Sequence, residues 1–231
     1  MVASLLVLPS PLVGSGAYAV LADAFRQLGV TTEVAEVPSE VTTGREVLEA
    51  FRQAVDALRP ELVVAHSNAG LVAPAVADGI PTVFVDAALP PPHGACAMAP
   101  AAMLGHLEEL AGPHGLLPPW TQWWPEDDVE PLFPDRSSRA SAEAGLPTLP
   151  LAYFRSKVTA PAGWEDGPCA YLAFGQTYAA ELGRARRLGW PAGEVAGALH
   201  LHFLHDPAQV AREVLDLAGR VNGGGGATSR V

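Results

Sequence analysis

Glu61-Leu-Val-Val-Ala-His-Ser67-Asn-Ala-Gly-Leu-Val-Ala73 is the stretch of this chain best suited to chemistry. Leu62 to Ala65 is a short apolar run that predicts a buried strand, and Leu71 to Ala77 has helical composition. Ser67 falls between them, flanked by the small residues Ala65 and Ala69 with Gly70 following. A serine on a tight strand-to-helix turn has its hydroxyl lifted above the sheet edge, and small neighbours keep the turn free of collisions. Such a hydroxyl is a poor nucleophile unaided. It needs a base of near-neutral pKa to take its proton and return it, and donors to hold the oxyanion that forms on the substrate. The alternative reading of Ser67 is an ordinary helix N-cap.

The stretch resembles the Gly-His-Ser-x-Gly-Gly elbow of the α/β-hydrolase family, with alanine at both of the required small positions. The resemblance to a small bacterial member covers nearly the whole chain, although the family's first antiparallel strands have no counterpart. It implies a histidine just after the last strand. His200 stands there, at the head of His200-Leu-His-Phe-Leu-His-Asp-Pro207, similar to the Gly-His-Leu-x-x-x-x-Asp-Pro ending of many small members but without the glycine. His202 is the fallback base; otherwise His202 and His205 are surface or helix-terminal residues. The resemblance also implies an oxyanion hole made by the backbone N–H of Asn68 and a second donor from the loop after the first strand, where Pro11 has no N–H and Leu12 is the candidate.

The acid departs from the pattern. The family places Asp or Glu after the penultimate strand, and here that position holds Gln176, which can fix an imidazole tautomer but cannot balance an imidazolium. Asp86, at the end of the strand after the elbow helix, is the substitute candidate, with a plain loop cap as its alternative reading. Glu181 is expected to point away.

The elements that must position these groups follow the order of an α/β chain. Strands are predicted at Leu5–Leu8, Val30–Val37, Leu62–Ala65, Thr82–Val85, Cys169–Phe174 and Glu194–Leu199. Helices are predicted at 17–28, 43–58, 71–77, 177–188 and 208–218, with Thr43 and Glu46 at capping-box spacing. Alternation of this kind implies a mostly parallel sheet with helices on both faces and the site at the strands' carboxyl ends. The core is read as 1–88 plus 165–221 and a flexible tail as 222–231. Between them, 89–164 shows no strand periodicity beyond a possible helix at 101–110, yet it concentrates aromatics. It is expected to be a helical insertion, and the family resemblance implies that it caps the serine, with Trp120, Trp123, Trp124 and Tyr153, beside Phe133 and Phe154, forming an apolar pocket for a bulky or aromatic acyl group. The competing reading is that at least half of these aromatics only pack the cap onto the sheet. Asp127 and Asp128 are expected to face solvent.

Composition narrows the field. The chain has 231 residues, 49% of them hydrophobic, a net charge of −11 and two cysteines. That suits one domain with a substantial core. It disfavours nucleic acid and anionic membranes as partners. Cys96 and Cys169 make neither a disulfide framework nor a metal site, so no cofactor or metal is expected and a reducing cytoplasm is the expected compartment. Three functions follow as expectations: a serine hydrolase of esters, thioesters or amides through an acyl-enzyme; an acyltransferase or cyclase with the same serine, drawing on an acyl-carrier protein or a peptide acceptor in natural-product assembly; and a non-catalytic binding protein on the same scaffold.

Overall fold

A computed structural model describes residues 2–224. The chain runs β1 (Ser4–Leu8), α1 (Ala19–Gln27), β2 (Thr31–Val34), α2 (Gly44–Leu58), β3 (Leu62–His66), α3 (Ala73–Val76) and β4 (Thr82–Val85). It continues through β5 (Gly94–Ala97), α4 (Ala101–Leu110), α5 (Glu126–Val129), α6 (Arg136–Glu143), α7 (Leu151–Arg155) and β6 (Lys157–Ala160). It closes with β7 (Cys169–Phe174), α8 (Ala179–Arg187), β8 (Ala192–Val195), α9 (His202–His205) and α10 (Pro207–Gly224).

Six strands form one parallel sheet in the order β2-β1-β3-β4-β7-β8. The chain steps outward from β1 to β2, then crosses back to β3 on the other side of β1. Right-handed crossovers therefore put α1 and α2 on opposite faces. Helix α1 packs with α10, and α2 packs with α3. Strands β3, β4 and β7 are buried along their whole length, which explains why they read as unbroken apolar runs rather than alternating ones. The reversal between β1 and β3 opens a crevice at their carboxyl ends, where open α/β sheets bind ligands.

Three expectations change. The segment 89–164 does hold strands: β5 and β6 pair antiparallel, Gly94 with Ala160 through Ala97 with Lys157. The sequence of β5, Gly-Ala-Cys-Ala, carries no β-branched residue, and its partner lies far along the chain, so no local signal marks it. The last strand stops at Val195 rather than Leu199, because Gly197 turns the chain at φ 72°. The last helix extends to Gly224, into the expected tail; residues 225–231 lie outside those described. No helix among the described residues is long and apolar enough to cross a membrane.

Candidate active site

Ser67 leaves β3 with φ 57°, a left-handed conformation that costs an L-residue roughly 1–2 kcal/mol. It opens a short 3₁₀ helix, Ser67–Leu71, and the surroundings explain why small residues follow it. Ala65 and Ala69 are fully buried. A Cβ on Gly70 would stand 2.2 Å from the Ala88 carbonyl oxygen. The Ser67 carbonyl accepts the Ala88 N–H at 3.1 Å, so the elbow is tied to the loop after β4.

That loop begins with Asp86, which is also left-handed, at φ 40°, and wholly buried. Its N–H donates to the Leu172 carbonyl at 2.7 Å, and its Oδ1 accepts the Phe174 N–H at 3.0 Å. Oδ2 then lies 2.6 Å from His200 Nδ1, while His200 Nε2 lies 3.0 Å from Ser67 Oγ. A carboxylate only accepts, so Nδ1 carries the imidazole proton and Nε2 is left to accept the Ser67 hydroxyl. Serine, histidine and aspartate thus form one directed chain. Gln176 takes no part: its side chain is exposed and the His200 ring is already held by Asp86. The reason is positional, since β4 adjoins β3 and the turned Asp86 brings a carboxylate directly beside the elbow.

A second chain of hydrogen bonds runs beneath the first. The Ser10 N–H donates to Tyr18 Oη at 2.9 Å, and that hydroxyl lies 2.7 Å from His66 Nδ1. His66 Nε2 is 3.0 Å from the His200 carbonyl oxygen. A carbonyl needs a donor, so Nε2 carries the proton, Nδ1 accepts, and the tyrosine hydroxyl donates to it. Burial, with the neighbouring His200 second, pushes the His66 pKa well below the ordinary histidine value and keeps the ring neutral. The main-chain segments carrying Ser10, Ser67 and His200 are joined by this relay. Neither Tyr18 nor His66 was singled out by sequence; the one available signal was a histidine inside the elbow motif itself.

Asn68 and Leu12 flank the serine. The Asn68 side chain is fully engaged, its Nδ2 donating to the Met98 carbonyl at 2.8 Å and its Oδ1 accepting the Tyr153 hydroxyl at 2.5 Å. Its backbone N–H sits in the first turn of the 3₁₀ helix, where no intrahelical acceptor exists. In the turn after β1, the N–H groups of Val13 and Gly14 both donate to the Ser10 carbonyl at 3.0 Å, passing over Leu12, which lines the cavity above the serine.

That cavity has a volume of about 790 Å³. Ser67 and His200 are in its floor, and Met98, Met103, Trp120, Trp124 and Phe154 are among its walls. Segment 89–164 therefore closes over the strand ends. Three expected pocket residues are not in the walls; one, Phe133, is buried and stacks on Trp120. Trp123 is buried, donates its indole N–H to the Pro118 carbonyl at 2.7 Å and meets Phe154 edge-on. Tyr153 is fully buried and spends its hydroxyl on Asn68. Both fix the cap to itself or to the elbow. Conversely Glu181, expected to point away, borders the cavity, and so does Tyr178, which sequence reasoning passed over two residues beyond Gln176; Asp128 is exposed, as expected, at the cavity's edge. Among the described residues, no group of three His, Cys, Asp or Glu is arranged to hold a metal ion.

No protein-family model and no curated protein sequence matches the chain. Solved structures do. An extracellular α/β-hydrolase from a Paenibacillus species, described as sharing homology with tobacco salicylic acid binding protein 2, superposes with a TM-score of 0.70 at 16% identity, covering 93% of this chain and 98% of its own. Tomato methylketone synthase I with bound 2-tridecanone gives 0.71 at 12% identity, over 96% and 99%. A pyrethroid hydrolase gives 0.63 at 13%, over 94% and 97%. The chain has the α/β-hydrolase fold.

Proposed function

We propose that the protein is a serine-dependent enzyme of hydrolase type that cleaves an ester or thioester with a bulky apolar acyl group through an acyl-enzyme. The observation that carries this reading is the directed chain from Ser67 Oγ to His200 Nε2 at 3.0 Å and from His200 Nδ1 to Asp86 Oδ2 at 2.6 Å. Ser67 Oγ attacks the acyl carbon as its proton passes to His200 Nε2. The oxyanion meets the N–H groups of Asn68 and Leu12. His200 then returns the proton to the leaving group, and water repeats the sequence to free the acid. Asp86 holds the histidine tautomer and offsets the imidazolium charge. The left-handed backbone at both Ser67 and Asp86 supports the reading, since strain of this kind gathers at sites that need it.

The apolar walls support a bulky, weakly polar acyl group, as do the relatives of the fold that hold 2-tridecanone or hydrolyse a pyrethroid. A purely binding role is disfavoured, because a binding site has no need of an activated serine.

The test is reaction with a fluorophosphonate, read as a mass increase on the peptide carrying Ser67. Labelling is expected in the unaltered chain, absent in Ser67→Ala and strongly slowed in His200→Ala. Turnover of acyl esters at the full rate by Ser67→Ala overturns the reading.

A further inference from the structure

Tyr178 ends the loop that follows β7, the loop in which the carboxylate was expected. Gly175 begins that loop at φ 59°, and a Cβ there would meet the Ala198 carbonyl oxygen at 2.6 Å, so the loop is pressed against the one that carries His200. The Tyr178 ring consequently sits 5.6 Å from the His200 ring, tilted by 43°. It borders the same cavity as Ser67 and His200. Because Asp86 supplies the carboxylate from the end of β4, which lies between the elbow strand and β7, the loop after β7 is free to present a different group.

The sides of the site are not equivalent. An acyl carbon bonded to Ser67 Oγ turns its oxyanion toward the N–H groups of Asn68 and Leu12. The leaving group must lie toward His200, which protonates it, and the incoming nucleophile arrives by the same side. Tyr178 lines the same cavity with its ring 5.6 Å from that of His200, within reach of a group that His200 protonates.

Resting on the serine acyl-enzyme reading above, we infer that Tyr178 is a further catalytic residue whose hydroxyl donates a hydrogen bond to the leaving-group oxygen or sulfur as it departs. In the collapse of the tetrahedral intermediate the bond from the acyl carbon to the leaving atom breaks. The electron pair stays on that atom, and the proton comes from His200 Nε2. The Tyr178 proton is not transferred; its bond to the developing anion strengthens as the charge grows. The same hydroxyl orients the attacking water in deacylation.

The hydroxyl is suited to donating. Burial, aided by the negative charges of Asp86 and Glu181 and tempered by the Ser67 side chain, pushes its pKa up to about 12, so it keeps its proton across the neutral range.

The experiment compares the unaltered protein with Tyr178→Phe on esters of one bulky acyl group whose leaving groups run from 4-nitrophenol to a simple alkanol. A hydrogen bond to a charged group corresponds to roughly a tenfold to hundredfold change in rate. A loss of that size in kcat/KM is expected for the alkyl ester, where leaving-group departure limits the rate. The 4-nitrophenyl ester, whose leaving group departs unaided, should lose about twofold or less, and the dependence of rate on leaving-group pKa should steepen. Fluorophosphonate labelling of Ser67 in Tyr178→Phe checks that the variant is folded and its serine still active. An equal loss for every leaving group, or none, overturns the role of Tyr178 while leaving the acyl-enzyme reading intact. Failure of Ser67 to label in the unaltered protein overturns both.

Discussion

His66 Nε2 lies 3.0 Å from the main-chain carbonyl oxygen of His200, and the two imidazole rings stack with centroids 4.7 Å apart at 27°. One histidine therefore holds the other by its backbone and by its face. His200 sits in a turn beyond the edge strand β8, with no ladder hydrogen bonds to fix it. Its ring must nevertheless span Asp86 and Ser67 at once. The buried His66, rooted in the central strand β3 and oriented by Tyr18, supplies the missing constraint. A neutral ring is required there, because a charged one would oppose the imidazolium that forms on His200 during the reaction.

Tyr18→Phe removes one oxygen from this relay and leaves the Ser10 N–H and His66 Nδ1 without partners. Each buried orphan costs about 1–3 kcal/mol, so the variant should unfold at lower urea concentration. The His66 tautomer is then free to invert, which deprives the His200 carbonyl of its donor. A misplaced His200 should lower kcat by about tenfold to a hundredfold with little change in KM. Stability loss with unchanged kcat would mean that the relay braces the fold and not the histidine.

Asp86 and Gln176 make opposite predictions. Asp86→Asn keeps the shape but removes the charge and inverts the preferred tautomer of His200, so kcat should fall by about four orders of magnitude. Gln176→Glu places a carboxylate on an exposed side chain away from the ring and should change kcat/KM by about twofold or less. Steady-state rates with a 4-nitrophenyl ester decide between them. A rate rise in Gln176→Glu would mean that the loop after β7 reaches the histidine after all.

What the sequence made legible here was local. Thr82–Val85 and Cys169–Phe174 are apolar runs buried on both faces, and they fall where expected. Thr43 and Glu46 form the capping box their spacing announces. The neighbourhood of Ser67, His200 and Asp86 was legible through chain order, since each follows a strand. Long-range relations were not. Tyr18 reaches His66 across three intervening elements, and β5 finds β6 only because the cap closes on itself. Nor does an indole reveal from sequence whether it faces the cavity: Trp123 and Trp124 are adjacent, and only the second borders it. A backbone turn of a few residues sets that difference.

The two tryptophans should therefore separate in function. Trp124→Ala and Trp120→Ala remove apolar wall, and losing contacts of one buried side chain should lower kcat/KM for bulky acyl esters by about tenfold while sparing acetyl esters. Trp123→Phe loses the bond to the Pro118 carbonyl and should cost about 1 kcal/mol of stability, with the ratio of bulky to acetyl activity unchanged. Equal loss on both substrates in all three variants would mean that the cap does not select the acyl group.

The buried state of His66 also fixes how stability responds to pH. In the folded protein, burial first and the adjacent His200 second hold its pKa well below the ordinary value, while in the unfolded chain it titrates near about 6.5. Between those two values the unfolded state binds a proton that the folded state refuses. Stability therefore rises with pH in that window and falls as pH drops below about 6.5, with a limiting slope of about 1.4 kcal/mol per pH unit from this residue alone. His66→Gln offers an amide that can still donate to the His200 carbonyl and accept from Tyr18, but it does not titrate. Urea unfolding at pH 7.5 and 5.5 should show the unaltered protein losing about 1.4 kcal/mol more than His66→Gln over that interval. Other histidines and carboxylates contribute to both curves and cancel in the difference. Parallel curves would mean that His66 takes up a proton in the native state, and the neutral, directed relay from Tyr18 to the His200 carbonyl would then be wrong.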